Sequence, residues 1–224
     1  AAMPLRDRIL ATRFGYSTFR RVILADRSMA RVVADHIRPA PGSRLLDIGC
    51  GPGDLAGLVP EVSYVGVDHN PAYLDAAAAE PPAAGPWFVN ADLADLAALD
   101  IGTFDTTVAL GVLHHLDDDL ARAVARDARD LIRDGGRFIS VDPVFHPDQR
   151  SIARVLMALD RGRYVRHPAD YARIVRSAFD DVDVTIRHDL LPFPYTHCIL
   201  TASVSAASER HTDRSGGRNG SRIR

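Results

Sequence analysis

Short, nearly continuous apolar runs recur along the chain, and stretches with helical spacing separate them. The runs are Leu45 to Ile48, Tyr64 to Asp68, Trp87 to Val89, Thr106 to Leu110 and Arg137 to Asp142. Val182 to Ile186 and Cys198 to Val204 close the series. Such runs suit strands that are covered on both faces. Helices are expected from Asp54 to Val59, from Pro71 through the alanine-rich run to Glu80, and from Asp170 to Phe179. Proline at a first helical position and alanine after it favour the second of these. Asp117 is placed to cap a further helix, with Leu120, Val124, Ala128 and Leu131 as its apolar stripe and Gly135-Gly136 as its end.

Strands alternating with helices predict an α/β fold, a parallel sheet wound with helices on both faces. Ligands on such sheets sit at the carboxyl ends of the strands, near the point where the strand order reverses. Two segments fall outside the repeating unit. Residues 1–40 read as an N-terminal helical lid, and residues 143–169 as a substrate-lid insertion within a 41–205 core domain. The tail, 206–224, is rich in Ser, Arg, Gly and Asn and lacks the apolar residues needed to order itself.

The 224 residues suffice for one full core. The net charge of -2 gives no electrostatic reason to expect nucleic acid or an anionic membrane as partner. All 27 basic side chains are arginine, which removes lysine from every catalytic role and fits the coding bias of a GC-rich bacterial genome. Cys50 and Cys198 show no metal or redox spacing, so no metal is expected and a reducing cytoplasm suits the chain. No apolar run is long enough to span a membrane, and no signal-peptide pattern is present.

The chemistry concentrates around Leu45-Leu46-Asp47-Ile48-Gly49-Cys50-Gly51-Pro52-Gly53-Asp54-Leu55. Glycine allows backbone shapes and close approach that a Cβ forbids. A dinucleotide loop usually reads G-x-G-x-x-G with an apolar residue where Asp47 stands. Here the glycines fall at 49, 51 and 53, and an acid precedes them. Asp68 ends the second strand, where a carboxylate can accept hydrogen bonds from vicinal ribose hydroxyls or cap the helix beginning at Pro71. Asn90-Ala91-Asp92-Leu93 follows the third strand, and Ala109-Leu110-Gly111-Val112-Leu113-His114-His115-Leu116 ends the fourth.

In this order, from about Arg44 to Ala202, these motifs resemble the class I S-adenosylmethionine (SAM)-dependent methyltransferases of small-molecule type. The resemblance implies a Rossmann-like, doubly wound sheet of seven strands, mostly parallel with an antiparallel last strand, and SAM as cofactor. It implies that Asp47, Gly49, Cys50, Gly51 and Gly53 meet the methionine part, Asp47 facing the ammonium directly or through water. Asp68 and His69 would meet the ribose, Asp92 and Leu93 the adenine, and Leu110 and Gly111 the ammonium again through backbone carbonyls. Tyr16, near the aromatic pair Phe14 and Phe19, would close over the cofactor.

SAM carries its methyl on a sulfonium, so the protein must align the partners and remove a proton where needed. Positioning supplies roughly 7–11 kcal/mol when geometry is good, and a general base typically ~10²–10⁴-fold. His114 and His115 leave the fourth strand at the methyl end, and histidine titrates near neutral pH. Adjacent residues in a non-helical turn point apart, so one of the two is expected to face substrate, and His115 matches the commoner form of the family's motif. Asp142, ending the fifth strand, can orient a histidine, take a proton itself or fix the turn before Pro143. Asp142-Pro143-Val144-Phe145 loosely resembles the motif of adenine methyltransferases, but its position and missing second proline argue against nucleobase amines. Neither cysteine stands where a cytosine C5 enzyme needs one.

The stretch Asp160 to His167 is dense in donors, and arginine there can clamp a carboxylate or phosphate or simply meet solvent. Arg161 and Tyr164, with His146, Tyr195 and His197, are the candidate substrate contacts. The expected partner is a small-molecule methyl acceptor of the secondary-metabolite kind, methylated on O, N or C. The N-terminal helices could pack on a second copy as easily as on the lid. A protein or RNA methyltransferase, and a non-catalytic or cyclase-type SAM-binding protein, stand as alternatives.

Overall fold

The computed structural model describes residues 26–78, 87–158 and 163–205. Among them, seven strands form one sheet in the order β3-β2-β1-β4-β5-β7-β6. They are β1 (Arg44–Ile48), β2 (Ser63–Asp68), β3 (Trp87–Asn90), β4 (Phe104–Leu110), β5 (Ile132–Pro143), β6 (Asp181–Arg187) and β7 (His197–Ser203). Strands β1 to β5 pair in parallel, and β7 runs antiparallel between β5 and β6. The helices are α1 (Asp26–Val32, continuing as a π-helix over Val33–Ile37), α2 (Pro71–Ala78), α3 (Asp118–Asp130), α4 (Ser151–Ala158) and α5 (Pro168–Val175). None of the described helices is long and apolar enough to cross a membrane.

The pleat sorts the core into two layers. Leu46, Ile48, Val67, Phe104 and Phe138 pack on one face with Val124 and Ala128 of α3 and Ile174 of α5. Leu45, Tyr64, Val108, Ile139 and Ile199 pack on the other with Val32 and Ile37 of α1 and Leu74 of α2. Fully burying an aliphatic or aromatic side chain of this kind contributes ~1.5–3 kcal/mol. By the same alternation Asp47 shares the face of Leu45, and Asp142 shares that of Phe138.

The strand order reverses between β1 and β4, so the turns leaving these two strands meet. Gly49 is the point of contact, since a Cβ there would lie 2.7 Å from Val112 Cγ2. Asp117 Oδ1 accepts the Leu120 N–H and caps α3 as expected. The buried stripe of α3 is Ala121, Val124, Ala125 and Ala128, with Leu120 and Leu131 only partly covered.

Three expected boundaries move. Residues 54–59 form turns and one 3₁₀ turn, Ala56–Leu58, rather than a helix. Gly57 within so short a segment and Pro60 just after it deny a costly helix nucleus any length over which to recover. Helix α3 ends at Asp130, where the Leu131 N–H bonds back to Asp127 O, and not at Gly135-Gly136. The glycines instead lie within β5, whose register against β4 shifts between Ile132 and Arg137. A Cβ on Gly136 would stand 2.8 Å from the Asp105 carbonyl oxygen. Helix α5 begins at Pro168 and stops at Val175, leaving turns up to Phe179.

Candidate active site

The loop after β1 is tied to β2 by its backbone. The N–H groups of Gly49 and Cys50 both donate to Val67 O, at 2.8 and 3.0 Å. Gly49 has φ +71°, in the left-handed region that favours glycine. The Gly51 N–H donates to Asp68 Oδ2 at 2.9 Å, and the Asn70 N–H to Asp68 Oδ1 at 2.8 Å. Asp68 thus ties the loop to β2 through Oδ2 and holds the turn after β2 through Oδ1, and each oxygen keeps further lone-pair capacity. Capping of α2 falls to Asn70, whose Oδ1 accepts the Ala72 N–H. His69 is largely exposed, with Nδ1 3.6 Å from Asp68 Oδ1.

Asp47 lies under this loop with 3% of its surface exposed. Tyr64 Oη donates to Asp47 Oδ2 at 2.7 Å. Burial raises this carboxyl to about 7; the Tyr64 bond opposes the rise, while the charges of Asp68 and Asp54 add to it. A carboxyl poised there gains most by meeting a cation. Burial likewise pushes the Cys50 thiol up, and Cys198 to about 12, which leaves neither a nucleophile at neutral pH.

Asp92 follows β3 and accepts the Ala94 N–H at 3.0 Å, capping the 3₁₀ segment Leu93–Ala98. Leu93 is buried. At the end of β4, Leu110 is half-buried and the Gly111 N–H donates to Val141 O at 2.7 Å.

His114 and His115 occupy a 3₁₀ turn, Leu113–His115, and do not splay apart. Their ring centroids are 3.9 Å apart and the ring planes are tilted by 41°. The structure pairs His114, rather than the motif-favoured His115, with Asp142. His114 is buried, with Nδ1 2.9 Å and its backbone N–H 3.1 Å from Asp142 Oδ1. With Oδ1 of the carboxylate as acceptor, Nδ1 is the donor, and the neutral ring held this way carries its lone pair on Nε2. Asp142 is 1% exposed, and its Oδ2 has no hydrogen-bond partner among the described residues. His115 is exposed.

From Pro143, the last residue of β5, the chain runs beside the β6–β7 connection. Val144 N–H donates to Thr196 O, and Pro143 lies opposite His197. Tyr195 and His197 are buried with ring centroids 5.1 Å apart, and Tyr195 packs with Leu191, Phe145 and Phe193. His146 meets His188 edge-on at 5.8 Å. Tyr164 is partly exposed, and its N–H donates to His114 O at 3.0 Å. Tyr16 and Arg161 lie outside the described residues, as do most of the 1–40 lid and the 206–224 tail. Sequence reading missed Tyr64, whose place on the Asp47 face the period-two pattern could have given. It also missed Arg166, whose role depends on contacts far along the chain. Among the described residues no cluster of His, Cys, Asp or Glu is arranged to hold a metal ion.

The set fits SAM chemically. A buried carboxyl suits an ammonium group, a strand-end carboxylate suits a ribose diol, and the glycines at positive φ turn the loop where a Cβ would strike Val112 or Phe88. The family model "Methyltransferase domain" matches residues 46–138. The chain is 36% identical over 134 residues to nocamycin O-methyltransferase from Saccharothrix syringae, covering 57% of this chain and 47% of that protein. It is 33% identical over 163 residues to a 37.1 kDa protein of transposon TN4556 from Streptomyces fradiae, covering 68% of this chain and 44% of that one. The chain therefore spans about half the length of these relatives. Among solved structures, the SAM-dependent methyltransferase SibL aligns with TM-score 0.69 over 92% of this chain and 63% of its own, at 19% identity, a likeness of fold. With its motifs in order, this sheet topology and the match over residues 46–138, the chain carries a methyltransferase domain of the class I, SAM-dependent type.

Proposed function

We propose that the protein methylates a hydroxyl-bearing small molecule, a secondary metabolite, with His114 as general base. The buried pair His114–Asp142 at the end of β4 carries this reading. Bound SAM supplies a methyl already activated by its sulfonium. Asp47 holds the ammonium end, Asp68 the ribose, and the turn after β4 closes the methyl end. Asp92 and Leu93 flank the adenine, Asp92 with the acceptor capacity left over from its capping bond.

The acceptor O–H would give its proton to Nε2 of His114 as the new C–O bond forms and the methyl–sulfur bond breaks, S-adenosylhomocysteine leaving as the neutral thioether. Asp142 Oδ1 holds Nδ1–H, keeps the ring in the tautomer that leaves Nε2 bare, and stabilises the imidazolium that results. The geometry also serves an acidic N–H or an indole-like carbon, so deprotonation is the shared requirement. Tyr164, His146, Tyr195 and His197 line the acceptor side, where aromatic faces suit a planar substrate. The likeness to a protein named as an O-methyltransferase supports a hydroxyl acceptor.

Incubation with methyl-labelled SAM and a panel of phenols, catechols and hydroxylated heterocycles tests the proposal. Label is expected in an alkyl ether of low molecular weight. Label confined to protein or RNA, or on an acceptor with no acidic proton, would overturn it.

A further inference from the structure

The residue that fixes His114 lies 52 positions along the chain, outside every methyltransferase motif. We infer that Arg166 is the positioning residue of the histidine turn, a buried guanidinium that sets how His114 is presented. The catalytic consequence rests on the proposed role of His114, but the positioning itself does not.

Arg166 is 8% exposed and spends all five of its N–H donors. Nη1 donates to Leu113 O at 2.8 Å and Tyr164 O at 3.0 Å. Nη2 donates to Leu116 O at 2.7 Å and Asp118 Oδ1 at 2.8 Å. Nε donates to the same Asp118 Oδ1 at 3.0 Å. Leu113 and Leu116 bracket His114 and His115, so the guanidinium closes on both ends of the turn. The Tyr164 N–H takes the His114 carbonyl between them. The turn's own bonds are His115 N–H to Val112 O and Leu116 N–H to Leu113 O, the latter a long 3.3 Å. A single 3₁₀ turn of this kind has poor internal geometry, and here its carbonyls are satisfied from outside.

The anchor of the clamp is equally specific. The backbone of Arg166 bridges Val144 and accepts the Phe145 N–H, so the strand leaving Asp142 and the clamp are joined. The guanidinium also lies 5.5 Å from the Tyr171 ring centroid. Asp118, at the first turn of α3, is held below the usual carboxylate range by its bonds to Arg166. One side chain therefore ties together the histidine turn, the start of α3 and the segment after Asp142. Both partners of the His114–Asp142 bond are referred to the same rigid group. Lysine cannot replace it, having three donors and no planar fork.

The test uses full-length protein with isotope-labelled histidine and reads the two-bond proton–nitrogen correlations that report each ring's tautomer. The His114 signals are assigned by their loss in His114→Gln. In the wild type they should show Nδ1 protonated and Nε2 bare. In Arg166→Lys and Arg166→Met they should shift towards the Nε2–H form or broaden by exchange, with S-adenosylhomocysteine affinity by calorimetry unchanged. Asp118→Ala removes the anchor from a half-exposed site and should move the same signals in the same direction, less far; it decides the matter if the Arg166 variants do not fold. His114 signals that superimpose on wild type in variants that still bind S-adenosylhomocysteine would overturn the inference. Should His114→Gln retain full turnover, the base assignment falls while the tautomer spectra still judge Arg166.

Discussion

The backbone N–H and the ring Nδ1 of His114 converge on one oxygen of Asp142, at 3.1 and 2.9 Å, leaving the other carboxylate oxygen buried and unbonded among the described residues. Asp142→Asn presents an amide in place of the acceptor pair and permits the wrong tautomer. Turnover in Asp142→Asn and His114→Gln should fall by ~10²–10⁴-fold, with SAM affinity retained. His115→Ala should keep most of its activity, since its ring has no part in that bond. Steady-state rates with matched calorimetry separate these outcomes.

Asp68 ties the glycine loop to β2 and, in the proposed reading, also takes the ribose of SAM. Asp68→Ala removes acceptors from the Gly51 and Asn70 N–H groups. Hydrogen bonds to a charged group are worth ~1.5–3 kcal/mol each, so SAM affinity should drop roughly tenfold or more. The midpoint of urea unfolding should fall as well, because the glycine loop loses its tie to β2. Unchanged affinity would remove Asp68 from the site.

Gly49 is constrained twice, by φ +71° and by Val112 Cγ2 at 2.7 Å from the place of a Cβ. Gly49→Ala should cost ~1–2 kcal/mol from the left-handed backbone alone, plus the displacement of Val112. Adding Val112→Ala should return the steric part but not the backbone part. Urea unfolding of the single and double variants measures both.

Asp47 gives the pH dependence. Its carboxyl is raised to about 7 when folded, so the native state holds a proton that the unfolded chain has released. Stability therefore falls as pH rises from the ordinary carboxylate range to about 7, and the deficit is complete above it. Asp47→Asn should be more stable than wild type above about pH 7, with the gap closing as pH drops. Tyr64→Phe removes the bond that opposes the rise and should push this window higher. An ammonium ligand prefers the ionised carboxylate, so SAM affinity should climb with pH through about 7 in wild type and stay flat in Asp47→Asn. Urea unfolding and calorimetry across pH 5–9 check both.

Much of the sheet could be read from residue order because its strands are short apolar runs with acidic ends. Leu45–Ile48, Tyr64–Asp68 and Thr106–Leu110 coincide with β1, β2 and β4 almost residue for residue. Asp117 worked as a cap because capping is a contact within one turn. The features that residue order left unread depend on partners distant in sequence. Gly135-Gly136 looked like a helix stop, but Gly136 is needed where β5 passes the Asp105 carbonyl. The motif pointed to His115, while Asp142, 28 residues beyond His114, selects the latter. Arg166 lay in a donor-rich stretch that suggested substrate binding, yet its donors are consumed by Leu113, Leu116, Tyr164 and Asp118.

The most direct test of the central claim follows methyl-labelled SAM incubated with a low-molecular-weight metabolite extract, for wild type and His114→Gln side by side. Label should enter a small acceptor as an ether with wild type, and at a rate at least about a hundredfold lower with His114→Gln. Transfer by His114→Gln at the wild-type rate, or label that enters only protein or RNA supplied in parallel, would contradict it.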